Sequence, residues 1–103
     1  MIQVVEKRDG RVVGFNEEKI KAAIRKALLS TEAGEDESLI QNITDRIGIG
    51  GKERMTVEEI QDRVEIELMK SARKDVAKRY IAYRDKRSIA RKAKTRDVFL
   101  EII

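Results

Sequence analysis

Residues 4–19, VVEKRDGRVVGFNEEK, constrain the fold of this 103-residue chain more than any other stretch. They predict two short strands around a tight turn at Asp9-Gly10, because both residues tolerate the positive φ that two-residue hairpin turns require. Asn16 is then a helix N-cap, and the two glutamates after it suit the positive end of a helix dipole. We therefore expect a β-hairpin that leads directly into a helix.

Lys19 does not fit a purely structural interpretation of this helix start. With Asn16 as the N-cap, Lys19 takes the third helical position, where a capping box would place Glu or Gln. A cation there is unfavourable beside the helix dipole unless an anion binds between them. The first amides of a helix lack partners within the helix and bind phosphate groups. This combination predicts a phosphate site at the start of the first helix.

The hairpin register extends this hypothesis to a pocket. A two-residue loop at Asp9-Gly10 sets Val5 opposite Gly14. Because side chains alternate across a strand, one face of the hairpin then carries Val5, Lys7, Val12, Gly14 and Asn16. Gly14 would leave a gap beside Val5 for a flat ring, bordered by cations that suit phosphates. An ordinary exposed hairpin with solvated charges explains the same residues, so both interpretations stay open at this point.

The composition excludes several kinds of chemistry. The chain contains no cysteine and no histidine, and its formal net charge is +4. Disulfides, thiolate metal sites and cysteine nucleophiles are therefore excluded, and the commonest general base and metal ligand is missing. No apolar run approaches the roughly 18 residues of a membrane span, and no signal peptide is visible. We expect a cytoplasmic protein with no membrane partner.

Apolar residues at helical spacing predict four helices, at about residues 17–29, 37–47, 57–70 and 75–93. The third has the clearest start, because Thr56 and Glu59 form a capping box and Met55 with Ile60 forms a hydrophobic staple. The absence of proline suits such a helical domain. The predicted fold is α+β but mostly α, a four-helix bundle capped by an N-terminal β-hairpin.

Two stretches allow more than one interpretation. The glycines at Gly48, Gly50 and Gly51 predict a connector after the second helix, since they lack the spacing and the preceding strand of a phosphate-binding P-loop. The fourth helix is expected to bury its side chains as far as Tyr83, and the sequence is strongly basic beyond it. This basic run fits a solvated helix face, a contact with a ligand's phosphates, or a nucleic-acid surface.

The pattern V-x-K-R-D-G-R-V-V-x-F-N-x-x-K-I, followed by TVEEIQDRVE and DVAKRYIAYRDKR, resembles the ATP-cone domain over about residues 3–87. Within that family, the start at Met1 and the tail KAKTRDVFLEII are most similar to the N-terminus of an anaerobic (class III) ribonucleoside-triphosphate reductase. The resemblance implies an ATP-cone regulatory domain at residues 1–93 and, at residues 94–103, a linker into a catalytic domain that this chain lacks.

The resemblance also implies a function. ATP-cones are allosteric switches of ribonucleotide reductases that bind ATP to permit activity and dATP to stop it, with Mg²⁺ sharing the charge of the triphosphate. The expected partners are these nucleotides, the catalytic domain of the parent reductase, and other copies of the chain in a nucleotide-dependent homo-oligomer. The domain itself would not be an enzyme.

By family pattern, particular residues match nucleotide-contacting positions. Phosphate contacts are implied for Lys7, Arg8, Lys19 and a basic residue of the fourth helix, Lys86 or Arg87, with Lys86 preferred. Asn16 would hydrogen-bond a phosphate or sugar oxygen. The adenine would be enclosed by Val5, Ile20, Val57 and Gln61.

Two other functions are weighed against this one. A nucleotide-responsive, DNA-binding regulator of reductase genes is the main alternative, since the family also occurs in such a repressor. That repressor carries a cysteine-rich zinc ribbon, which is absent here, so a nucleic-acid partner is not expected. A nucleotide-hydrolysing enzyme could hold Mg²⁺ on Glu17, Glu58 or Glu59, but no paired carboxylate or P-loop lysine supports catalysis.

Overall fold

The computed structural model describes residues 1–32, 34 and 36–102, with side chains up to residue 93. The elements in chain order are β1 (Val4–Glu6), β2 (Val12–Gly14), α1 (Glu17–Leu29), α2 (Glu37–Gly50), β3 (Arg54–Thr56), α3 (Val57–Lys70) and α4 (Lys74–Ile102). The predicted fold class is confirmed, since four helices pack beside a small N-terminal sheet. Within the described residues, no helix is both long enough and apolar enough to cross a membrane.

The sheet contains a strand that the sequence analysis missed. β3 pairs in parallel with β1, and the strand order is β2-β1-β3. β3 leads directly into α3, because Thr56 is both its last residue and the N-cap of the helix. A strand of three residues is too short for its alternation to be recognised in the sequence. It fixes the start of α3 beside the hairpin.

The hairpin loop is one residue longer than predicted. Lys7 donates its backbone N–H to the carbonyl of Arg11 at 2.7 Å, and the Gly10 N–H donates to the carbonyl of Lys7 at 2.9 Å. The loop therefore has three residues, 8–10, and Gly10 takes the left-handed conformation with φ 89° that this turn requires. Asp9 favours the longer loop, because its carboxylate accepts from the backbone and side chain of Arg11 at 3.1 and 2.6 Å.

The predicted register was consequently wrong. Val5 pairs with Val13, and Gly14 pairs with Val4. Since a shift of one residue moves side chains to the other face, Val13 rather than Val12 lies across from Val5. The predicted gap beside Val5, left by Gly14, is not formed by this pairing.

Two helix starts agree with the sequence analysis. Asn16 caps α1, where its side-chain oxygen accepts from the Glu18 N–H at 3.1 Å. At α3, the Thr56 hydroxyl accepts from the Glu59 N–H, and the Glu59 carboxylate accepts from the Thr56 N–H, both at 3.1 Å. The capping box is therefore confirmed, and these caps set the angle at which α1 and α3 leave the sheet.

α2 ends later than predicted, because Gly48 and Gly50 remain helical. Glycine in a helix costs roughly 1 kcal/mol relative to alanine. Two contacts hold the extra turn in place. The Gly48 carbonyl accepts from the Ile2 N–H at 2.9 Å, and the Gly50 carbonyl accepts from the Arg63 guanidinium at 3.1 Å. The connector predicted at the glycine cluster begins only at Gly51.

The core lies between the four helices and ends part-way along α4. Val76, Ala77 and Tyr80 are buried, as predicted, but Tyr83 is 39% exposed. Its ring instead lies 5.7 Å below the ammonium of Lys26, measured to the ring centroid. α4 continues to Ile102, beyond the predicted end at residue 93. The side chains of the predicted linker, residues 94–103, lie outside the described residues.

Candidate functional site

A cavity of about 170 Å³ opens between the sheet and the helices. The hairpin and the start of α1 form one side, and α3 and α4 form the other. Its lining residues are Val5, Lys7, Val13, Gly14, Phe15, Asn16, Lys19, Ile20, Ala23, Val57, Ile60, Gln61, Val64 and Tyr80. Most of these side chains are apolar, which suits a small organic ligand held by a few polar groups.

Seven of the nine residues predicted to contact a nucleotide line this cavity. They are Val5, Lys7, Asn16, Lys19, Ile20, Val57 and Gln61. The other two, Arg8 and Lys86, lie outside the described lining. Whether any of the nine contacts a nucleotide stays a prediction, but the structure brings most of them to one cavity.

The corrected register changes the wall that the hairpin provides. Val13 contributes to the cavity beside Val5, whereas the sequence analysis placed Val12 there. Gly14 also belongs to the lining, but a Cβ added to it would meet open space. The cavity therefore lies between the sheet and the helices, not in a gap within the hairpin.

Two lysines line the cavity, Lys7 from the hairpin and Lys19 from the first turn of α1. Among the described residues, neither Lys7 nor Lys19 forms an ion pair. Lys21, two residues farther along, is by contrast held by Glu17 at 3.4 Å and Glu18 at 3.7 Å. A helix N-terminus flanked by unpaired cations is a favourable place for an anion.

Arg8 lies at the rim and is directed towards α3. Its Nε is 2.8 Å from a Glu58 carboxylate oxygen, and its guanidinium donates to the Gln61 side-chain oxygen at 3.3 Å. Gln61 itself lines the cavity. This arginine therefore joins the hairpin loop to α3, and it already has an anionic partner in this structure.

The basic residue that α4 directs towards α3 is Arg84. Its guanidinium lies 2.8 Å from both Asp62 and Glu65. Burial opposes its charge, but the hydrogen bonds that it donates to these two carboxylates raise the pKa of Arg84 above its ordinary value. Lys86 is exposed and points about 200° around the helix from Arg84. The structure thus does not bring Lys86 to the cavity.

The sequence analysis did not assign six of the lining residues to the site. They are Val13, Phe15, Ala23, Ile60, Val64 and Tyr80. Four belong to the helical stripes that predict the core, and a stripe does not distinguish a core from the floor of a cavity. Tyr80 is the polar member of this group, and its burial raises the pKa of its hydroxyl to about 12.

Comparison with known families agrees with this geometry. A family model described as the ATP cone domain matches residues 3–89, which include all of the cavity lining. The chain belongs to the ATP-cone family. The resemblance that the hairpin motif and the two later segments indicate is thereby confirmed.

Several reductases are similar to this ATP-cone domain. The vitamin B12-dependent ribonucleoside-diphosphate reductase of Thermoplasma acidophilum is 47% identical over 102 residues, covering 91% of this chain and 13% of the relative. The ribonucleoside-diphosphate reductase subunit alpha of Chlamydia pneumoniae is 37% identical, covering 93% and 10%. The anaerobic ribonucleoside-triphosphate reductase of Escherichia coli is 35% identical, covering 89% and 13%. The chain thus spans only 10 to 13% of these relatives.

Proposed function

We propose that this ATP-cone is the allosteric, activity-regulating domain of a ribonucleotide reductase, which binds ATP as an activator and dATP as an inhibitor. The observation that carries the proposal is the cavity, which combines apolar walls with the N-terminus of α1 and with Lys7 and Lys19, neither of which forms an ion pair within the described residues. Apolar walls suit a base, and a helix N-terminus with cations suits phosphates.

In the proposed complex, the adenine lies between Val5, Ile20 and Val57, with Gln61 at its edge. The phosphates extend towards Lys7, Asn16 and Lys19. Charge-assisted hydrogen bonds to phosphate oxygens are stronger than neutral ones, so the two lysines contribute much of the affinity. Within the described residues, no group of three acidic, histidine or cysteine side chains is positioned to hold a metal. The proposed Mg²⁺ is therefore held chiefly by the triphosphate oxygens.

The proposed switch requires ATP and dATP to favour different conformations, because a ligand that binds two states equally shifts neither. The two nucleotides differ only in the ribose 2′-hydroxyl. We propose that their effect passes to the catalytic domain of a parent reductase, of the anaerobic ribonucleoside-triphosphate type, or to nucleotide-dependent homo-oligomers. Such a protein would work in the cytoplasm. The contact by Lys86 stays a prediction that its substitution would test.

Titration calorimetry with ATP and with dATP tests the proposal. Both are expected to bind and to remain unhydrolysed after long incubation. Lys7→Ala and Lys19→Ala should each lower the affinity for ATP and for dATP by about 10- to 150-fold, because a hydrogen bond to a charged group contributes about 1.5–3 kcal/mol.

Lys21→Ala is the matched control for these variants. It removes the same charge from α1 but breaks only the ion pairs with Glu17 and Glu18. Its effect on nucleotide affinity should be small. A protein that binds neither nucleotide, or a loss of affinity as large in Lys21→Ala as in Lys19→Ala, would refute the proposed site.

A DNA-binding regulator is the second candidate, because residues 85–93 of α4 are exposed apart from Ser88 and include several basic side chains. Aromatic side chains that stack on bases are missing from this segment. A gel-shift assay at moderate salt separates the two functions. Tight, sequence-selective DNA binding would favour this second candidate over the reductase domain.

A further inference from the structure

Tyr80 is a lining residue of the cavity that carries a hydroxyl group. Its side chain belongs to the lining, and the residue is only 4% exposed. Its hydroxyl forms no hydrogen bond with any residue in the described part of the chain. The oxygen is not completely enclosed, so it keeps some accessible surface. Buried polar groups nearly always have a partner, and an unpaired one calls for a specific explanation.

The charged groups that act on this hydroxyl are already paired with one another. Arg84, Asp62 and Glu65 lie close enough for their charges to act on Tyr80. The Arg84 guanidinium, however, donates to Asp62 and to Glu65, each at 2.8 Å. Tyr80 therefore lies beside a closed ion-pair cluster and takes no part in it, which leaves its hydroxyl available to a ligand.

The position of Tyr80 indicates which part of a nucleotide it would meet. Its companions in the lining include Ala23, one helical turn beyond Lys19, and Val64, two turns beyond Val57. Apolar walls of this kind disfavour a phosphate, because a charge without a partner is costly to desolvate. The ring nitrogens of adenine are neutral hydrogen-bond acceptors that suit a phenol.

Resting on the proposed function, we propose that the Tyr80 hydroxyl donates a hydrogen bond to a ring nitrogen of the bound adenine. Tyr80 is then a residue that determines affinity for the base and is independent of the phosphate contacts. The hydrogen bond also accounts for a tyrosine, in place of phenylalanine, at a buried position where the hydroxyl forms no hydrogen bond within the described residues.

Tyr80→Phe tests this inference, because it removes the hydroxyl and keeps the ring. The melting temperature should not fall, since the hydroxyl has no partner to lose. The affinities for ATP and dATP should each fall by about three- to tenfold, as expected for one neutral hydrogen bond. Tyr83→Phe is the matched control, because Tyr83 is 39% exposed and lies outside the described lining. It should change neither quantity.

Inorganic tripolyphosphate separates contacts with the base from contacts with the phosphates. Its binding should be unchanged in Tyr80→Phe and weakened in Lys7→Ala. The inference is overturned if the wild type binds ATP and Tyr80→Phe binds it equally well. It is also overturned if Tyr80→Phe lowers the melting temperature, or if the substitution reduces the affinity for tripolyphosphate as much as the affinity for ATP. The proposed function fails separately, if the wild type binds no nucleotide.

Discussion

Replacing Glu58 with glutamine is expected to tighten ATP binding, because Glu58 competes with the triphosphate for Arg8. The Arg8 Nε lies 2.8 Å from the Glu58 carboxylate, and the same guanidinium donates to Gln61 at 3.3 Å. If Arg8 is a phosphate ligand, as the family pattern implies, it must leave this carboxylate first. Glutamine keeps the size of the side chain and removes the charge that holds the arginine.

The size of the expected gain in ATP affinity follows from the solvent exposure of the Arg8–Glu58 ion pair. The Arg8 and Glu58 side chains are 38% and 50% exposed, so solvent screens their attraction. Ion pairs of this kind contribute about 0.2–1 kcal/mol, which corresponds to an affinity gain of about 1.5- to 5-fold when the competitor is removed. Glu58 also lies 3.8 Å from Arg84, but Arg84 keeps its shorter pairs with Asp62 and Glu65.

Calorimetric titration of Glu58→Gln and of Asp62→Asn with ATP separates the loss of the partner of Arg8 from the loss of one negative charge. Both variants remove one negative charge from α3, but Asp62 pairs with Arg84 and not with Arg8. The gain in ATP affinity should therefore be larger in Glu58→Gln than in Asp62→Asn. In an Arg8→Gln background the same substitution of Glu58 should have no effect, because the competition that it relieves is absent.

Weaker binding by Glu58→Gln would refute this reasoning, because it would mean that Glu58 positions Arg8 for the ligand. An equal gain in ATP affinity in Asp62→Asn would also refute the proposed competition for Arg8, since the net charge alone would then explain the change in affinity. Measurements at two salt concentrations support that distinction, because a long-range effect of net charge is screened more strongly than the loss of a contact.

Two further predictions concern stability. Thr56→Ala should lower the free energy of unfolding by about 1 kcal/mol in urea denaturation, because it removes the hydroxyl half of the capping box at α3; an unchanged midpoint would contradict this. Burial raises the pKa of Tyr80 from 10.0 to about 12, so its contribution to stability is present below pH 10 and is lost as the pH rises towards 12. The wild type should therefore lose more stability than Tyr80→Phe between these two pH values, and parallel pH profiles would contradict the assignment.

The parts of the fold that could be predicted depend on neighbours in the sequence. The N-cap at Asn16 and the capping box at Thr56 are formed within four residues, and both helix starts agree with the structure. What could not be predicted depends on contacts between distant segments. β3 exists through its pairing with β1, and the last turn of α2 is held by Arg63, which lies 13 residues from Gly50.

The difference between local relations and distant contacts also explains why most of the predicted site residues line the cavity although the predicted hairpin register was wrong. Val5 lies on β1, and Lys7 directly follows this strand and continues its pairing through the Arg11 carbonyl, so the two share a face whichever residue lies opposite. Lys19 and Ile20 are placed by the cap of α1, and Val57 and Gln61 are one turn apart on α3. Each of these local relations holds by itself, and the chain needs only to bring the three elements together to form the cavity.

Arg8 and Lys86 fall outside the cavity lining for two different reasons. Arg8 belongs to the hairpin loop beyond the end of β1, and its guanidinium is held by Glu58 and Gln61 of α3. Lys86 lies on the other side of α4 from Arg84, as the helical period alone requires. A family motif assigns a role to a position, whereas the surrounding structure decides which direction the side chain takes. Where the two disagree, as they do for Arg8, a contact with a ligand requires the side chain to leave a partner, and Glu58 is that partner in this domain.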